Sequence, residues 1–162
     1  MIAPTLTTER LVLRPLTQAD FAVYAGFVTS DRTGFMGGPH DLSAAWTWFC
    51  KDVAGWDLLD MGGLMVTHQG APVGQVALSG GPDFPEPELG WFLFAGFEGQ
   101  GFATETAAAV RDWALGRMAS IVSYIDAENA ASIKVARRLG AVLDASAATP
   151  QNAPTGVYRY AH

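Results

Sequence analysis

The run Gly99-Gln100-Gly101-Phe102-Ala103 has the residue types of a main-chain anion site. It follows an apolar run, Glu88 to Phe94, and leads into an alanine-rich one, Ala103 to about Arg117. A helix N-terminus leaves unpaired N–H groups and carries roughly half a positive charge. Glycines just before it let phosphate oxygens reach those groups without a Lys or Arg side chain. A tight strand-to-helix turn would use the same residues. Two other phosphate motifs are excluded. A dinucleotide fingerprint needs glycine where Thr104 stands, and no Gly-x-x-x-x-Gly-Lys-Ser/Thr occurs.

A second stretch begins at Asn129-Ala130-Ala131-Ser132. Three of the ten basic residues, Lys134, Arg137 and Arg138, follow before Gly140-Ala141, with no acid among them. Helix grammar accounts for this pattern: Asn129 as N-cap, cations toward the C-terminal end, glycine after it. His40 lies beside Gly37, Gly38 and Pro39 in a loop and is a candidate substrate-side group. No spacing of His, Cys and carboxylates has the form of a metal site. The single cysteine, Cys50, can form no internal disulfide.

The elements that must carry these residues follow from periodicity and punctuation. Leu11–Pro15 reads as a strand. Thr17 to Asp20 resembles a capping box and predicts a helix through about Val28. Residues 30–40 read as loop, and Asp41 caps a helix predicted through about Val53. Residues 64–67 and 73–78 form a hairpin turning at Gly70. Residues 80–87 are loop and 88–94 strand. A helix from 103, a strand at 121–125, a helix at 129–139 and strands at 141–143 and 157–160 complete the chain. Strands interleaved with helices in this order make one α/β domain, 1–162, with a mixed sheet.

Composition bounds the partners. Charged residues are 16% of 162 and hydrophobic residues 49%, which excludes the disordered class. The densest apolar stretch, Trp91 to Phe97, is far short of the roughly 20 residues of a membrane span. A net charge of −6 with no exposed basic run argues against nucleic acid. The expected compartment is the cytoplasm, and the expected state a monomer or homodimer.

Taken together, the sequence resembles the GNAT N-acetyltransferases. It is most similar to the branch containing the ribosomal-protein N-terminal (alanine) acetyltransferases. The resemblance runs from Thr8-Glu9-Arg10-Leu11-Val12-Leu13-Arg14-Pro15-Leu16 through Glu88-Leu89-Gly90-Trp91-Phe92-Leu93 and Gly99 to Glu105. It continues over Asn129 to Ser132 and Arg138-Leu139-Gly140-Ala141 to a last strand, Val157-Tyr158-Arg159-Tyr160. It implies a GNAT-like single domain: a mixed, mostly antiparallel sheet flanked by helices, with splayed central strands at 88–94 and 121–125. Acetyl-CoA as cosubstrate would enter between them. Its pantetheine arm would pair with backbone of Phe92, Leu93 and Phe94, like an added strand. Its pyrophosphate would sit on Gly99, Gln100, Gly101, Phe102, Ala103 and Thr104. Asn129 would reach the arm, and Lys134 and Arg138 the nucleotide end. The chain departs from the family pattern at Glu98, where Gln or Arg is usual, and at Ala141, where Phe is common. It also departs at Ala136, where many members carry a tyrosine general acid.

The implied reaction moves an acetyl group to a primary amine, on a small molecule or a protein N-terminus. The amine must lose a proton, the thioester oxygen must be stabilised and the departing thiolate must gain a proton. Glu88, at the start of the central strand, is the candidate base or amine-binding group. Ser132 is the candidate acid in place of the missing tyrosine. Asp83, Glu86, Glu88 and Glu98 form a stretch without bases, which favours a cationic acceptor. The alternative reading is a CoA-binding or sensory module without catalysis.

Overall fold

In the computed structural model, which describes residues 1–153 and 155–162, one eight-stranded sheet is packed on both faces by helices. The strands are β1 (Leu6–Thr7), β2 (Leu11–Pro15), β3 (Gly63–His68), β4 (Ala71–Ser79), β5 (Glu88–Leu93), β6 (Ser120–Asp126), β7 (Val142–Leu143) and β8 (Thr155–Ala161). The helices are α1 (Phe21–Val28), α2 (Leu42–Leu59), α3 (Phe102–Leu115) and α4 (Ala130–Arg138). Strand order is β1-β2-β3-β4-β5-β6-β8-β7, and only β5–β6 is parallel. Among the described residues no helix is long and apolar enough to cross a membrane.

Strand alternation divides the core. Leu13, Leu64, Val66, Val76, Leu78 and Leu89 point to the face covered by α3 and α4. Met65 and Phe92 point to the other face, with Tyr24, Phe27 and Val28 of α1 and Ala45 and Phe49 of α2. Register puts Gln75 opposite Phe92, Ala77 opposite Gly90 and Ser79 opposite Glu88. Glu88 therefore belongs to the α1–α2 face.

Several boundaries differ from the sequence expectation. β1 is an added edge strand of two residues. Residues 31–36, read as loop, form a 3-10 turn capped by the Ser30 hydroxyl. Helix α2 runs to Leu59 rather than Val53. Gly55 lies within it, and a side chain there would clash, because the Met61 carbonyl lies 2.3 Å from where a Cβ would stand. The glycine lets the chain fold back tightly from α2 into β3. Asp20 holds the entry to α1. Its carboxylate accepts from the Thr17 amide (2.8 Å) and from Arg14 (2.7 and 2.8 Å).

Candidate active site

The centre of the sheet is forked. β5 and β6 share one register pair, Glu88 with Val122, supported by Val122 N–H donating to the Pro87 carbonyl at 2.9 Å. At the next residue, side chain replaces backbone. The Ser123 hydroxyl donates to the Leu89 carbonyl at 2.6 Å and meets the buried Tyr160 hydroxyl at 3.1 Å. Beyond Leu89 the strands share no ladder bond among the described residues. The β6-facing side of β5 is thus open along Trp91 and Leu93.

The mouth of this fork meets the glycine loop. Gly99 and Gly101 have φ of 75° and 80°, the left-handed region where glycine is at ease. Gly101 is the N-cap of α3 and has no side chain to satisfy the helix end. Among the described residues, none of the amides of Gln100, Gly101, Phe102, Ala103 and Thr104 donates a hydrogen bond. The carbonyl side of the loop is held instead. Arg10 donates to the Gln100 carbonyl at 2.9 Å and to Glu105 at 2.7 Å, with its guanidinium over the Phe102 ring. Glu105 also accepts from the Thr8 hydroxyl at 2.6 Å. The loop is therefore braced from the turn between β1 and β2, with these five amides left free among the described residues, a cradle suited to phosphate oxygens.

On the α1–α2 face, Glu88 lies beside Gly90, whose missing Cβ would be 3.7 Å from Oε1. Part of the side chain stays accessible, yet desolvation of the carboxyl pushes its pKa up to about 7. The Tyr124 amide opposes that shift, and the like charge of Asp52 adds to it. Asp52, on α2, accepts on Oδ2 from the Tyr24 hydroxyl (3.0 Å) and from Gln75 (2.9 Å). Desolvation pushes its pKa up to about 7 as well, against the Tyr24 bond. Desolvation, with the Asp52 charge behind it, raises the Tyr24 hydroxyl far above its usual range. Sequence reasoning missed Asp52, Tyr24 and Gln75, because they meet only through tertiary packing.

The acidic stretch needs correction. It contains no bases, but its acids are mostly paired with distant ones. Asp83 pairs with Lys51 at 2.8 Å, Glu86 with Arg159 at 2.6 Å, and Glu98 with Arg32. Of the four, Glu88 has no cation partner among the described residues. Glu98 accepts from the Gly96 amide and from Arg32, so its charge is met locally.

The other predicted residues fall as follows. The Phe92 side chain stacks on Phe27 of α1, with centroids 4.0 Å apart. The Leu93 carbonyl faces the fork and accepts from Arg32 at 2.9 Å. The Phe94 amide is not available for pairing with a ligand, because it donates to the Val73 carbonyl at 2.9 Å. The alternation that brings Leu93 to the fork turns Phe94 to β4. Asn129 caps α4 by accepting from the Ser132 amide at 3.2 Å. Ser132 is part-buried in the first turn of α4, and Ala136 is wholly buried in the core. A shallow open depression on α4 is lined by Lys134, Arg137 and Arg138. His40 is held by the Met36 carbonyl at 3.0 Å and lies against Trp48.

The sequence model of the GNAT acetyltransferase domain matches residues 10–142. The chain belongs to the GNAT acetyltransferase family. Among solved structures, an acetyltransferase from Agrobacterium tumefaciens str. C58 is 44% identical, with a TM-score of 0.95. The match covers all of this chain and 96% of that one. RimL, a ribosomal L7/L12 alpha-N-protein acetyltransferase solved with coenzyme A, shares the fold at 16% identity. Its TM-score is 0.76, over 98% of this chain and 97% of that one. The microcin C7 self-immunity acetyltransferase MccE, solved with acetyl-CoA and AMP, shares it at 14% identity and a TM-score of 0.75, covering 96% of this chain and 94% of that one. This GNAT domain is thus an acyltransferase enzyme, with its fork, free-amide loop and lone carboxylate in one molecule.

Proposed function

We propose that this enzyme transfers an acetyl group from acetyl-CoA to a primary amine, with Glu88 receiving the acceptor's proton. The observation that carries the reading is Glu88 itself. It sits where the strands part, has no cation partner among the described residues and has a pKa near 7. A base of that pKa is half ionised at neutral pH, the working range for general catalysis. An ammonium brought to Glu88 also supplies the missing counter-charge.

The cofactor assignment rests on the free amides of Gln100 to Thr104 and on the open edge of β5. Both match what a pyrophosphate and an amide-bearing arm need. Acetyl-CoA supplies the activated acyl thioester. The chain's residues do the rest. The backbone of Trp91 and Leu93 aligns the arm along β5. Glu88 takes a proton from the ammonium, leaving the nitrogen lone pair free to attack. Ser132, in the first turn of α4, is the hydroxyl to which we assign the relay of a proton to the leaving sulfur, since Ala136 offers none. The acceptor enters from the α1–α2 side, between the 31–36 turn and the 80–87 loop. A small amine or a protein N-terminus satisfies the same charge requirement.

Release of free thiol from acetyl-CoA, measured against a panel of amines and N-terminal peptides, tests this reading. Cationic acceptors are expected to turn over and acidic ones to fail. Absence of CoA binding by calorimetry would overturn the cofactor assignment. Binding without turnover on any amine would overturn the role of Glu88.

A further inference from the structure

Glu98 immediately precedes Gly99, so a carboxylate stands at the entrance to the phosphate loop. Backbone hydrogen bonds, its own and that of Gly96, hold it below the usual carboxylate range, with Arg32 adding to them. A pyrophosphate brought to the amides of Gln100 to Thr104 would arrive beside that negative charge. Arg32 meets it from 66 residues earlier in the chain. One Nη pairs with Glu98 and the other donates to the Leu93 carbonyl at 2.9 Å, with the guanidinium over the Phe27 ring at 5.2 Å. A single side chain therefore touches both the open end of β5 and the lead-in to the loop. Arg10, the other cation at the loop, is committed to the carbonyl of Gln100 and to Glu105.

We propose that Arg32 is a cofactor-binding residue, neutralising Glu98 and giving the phosphate loop its cationic edge. The inference rests on the assignment of acetyl-CoA to this groove. A half-exposed ion pair adds little to folding. Beside a bound polyphosphate it removes a repulsion, and that is a larger effect at low salt. The cation comes from the 31–36 turn, so the acceptor side of the molecule takes part in holding the cofactor.

Calorimetry with CoA at low salt tests this in four variants, with thermal melts to check folding. Arg32→Ala should raise the Kd roughly fivefold to tenfold. Arg32→Lys, which keeps the charge, should stay within about threefold of wild type. Glu98→Gln should bind at least as well as wild type. The double variant Arg32→Ala/Glu98→Gln should return to within about threefold, because the repulsion is gone. Pantetheine, which has the amide arm and no phosphate, should bind all four alike in an NMR titration. Unchanged CoA affinity in Arg32→Ala would overturn the proposal. So would a double variant as weak as the single one. An equal loss for pantetheine would assign Arg32 to the Leu93 carbonyl and overturn the charge role. A wild-type protein that does not bind CoA would remove the groove assignment, and the role of Arg32 with it.

Discussion

Glu88 and Asp52 are two carboxyls on one face of the sheet, each displaced upward by burial, and the Asp52 charge adds to the cost of ionising Glu88. The enzyme needs Glu88 ionised, so kcat/KM should rise as pH passes about 7 and level off above it. Glu88→Gln should lower kcat about a hundredfold or more, flatten that limb and leave the CoA Kd unchanged in calorimetry. Asp52→Asn removes the like charge. The inflection of the pH–rate profile should then move to lower pH, read from initial rates across the pH range. A profile that stays in place would show that Asp52 serves only to tie α1 and α2 to β4.

At the scale of elements, two short segments govern what the helices can do. The loop into α3 works because Gly101 adopts a φ that side chains resist. Gly101→Ala should cost about 1 kcal/mol of stability by denaturant unfolding. It should also weaken CoA binding, since an added Cβ would stand 3.3 Å from the Arg10 guanidinium that braces the loop. The entry to α1 depends on Asp20, whose pKa is lowered first by Arg14 and also by Thr17, against desolvation. A lowered folded pKa gives stability that is present above the unfolded value and lost as pH falls through the folded one. Asp20→Asn should therefore destabilise the protein by about 2 kcal/mol at neutral pH. The gap should close on acidification below pH 4 or so, in melts run as a pH series.

For the whole molecule, what could be read from the chain was what is local. The glycine loop, the Asn129 cap and the alternation at 88–94 sit within a few residues of the structure they make. The partners of the acids do not. Lys51 meets Asp83 across 32 residues, Arg32 meets Glu98 across 66, and Arg159 meets Glu86 across 73. No periodicity encodes such pairs, so an acidic stretch read as open charge proved largely neutralised. Glu88 was legible as a candidate, but only the folded protein shows that, of the four, it has no cation partner among the described residues. Asp52, Tyr24 and Gln75 were hidden for the same reason. The length of α2 was missed differently: the helix predicted through about Val53 runs on to Leu59, and the close approach of the Met61 carbonyl to Gly55 is a tertiary contact that no local pattern reports. The single β5–β6 register pair also bears on how the molecule opens. Hydrogen bonds join β1 to β5 on one side and β6 to β8 on the other, and the sheet has a seam between them. A ligand arm laid along that seam acts as a stitch. Amides of β5 and β6 flanking it should exchange with solvent deuterium faster than those of β3 and β4 in the free protein, and slow selectively when CoA is added.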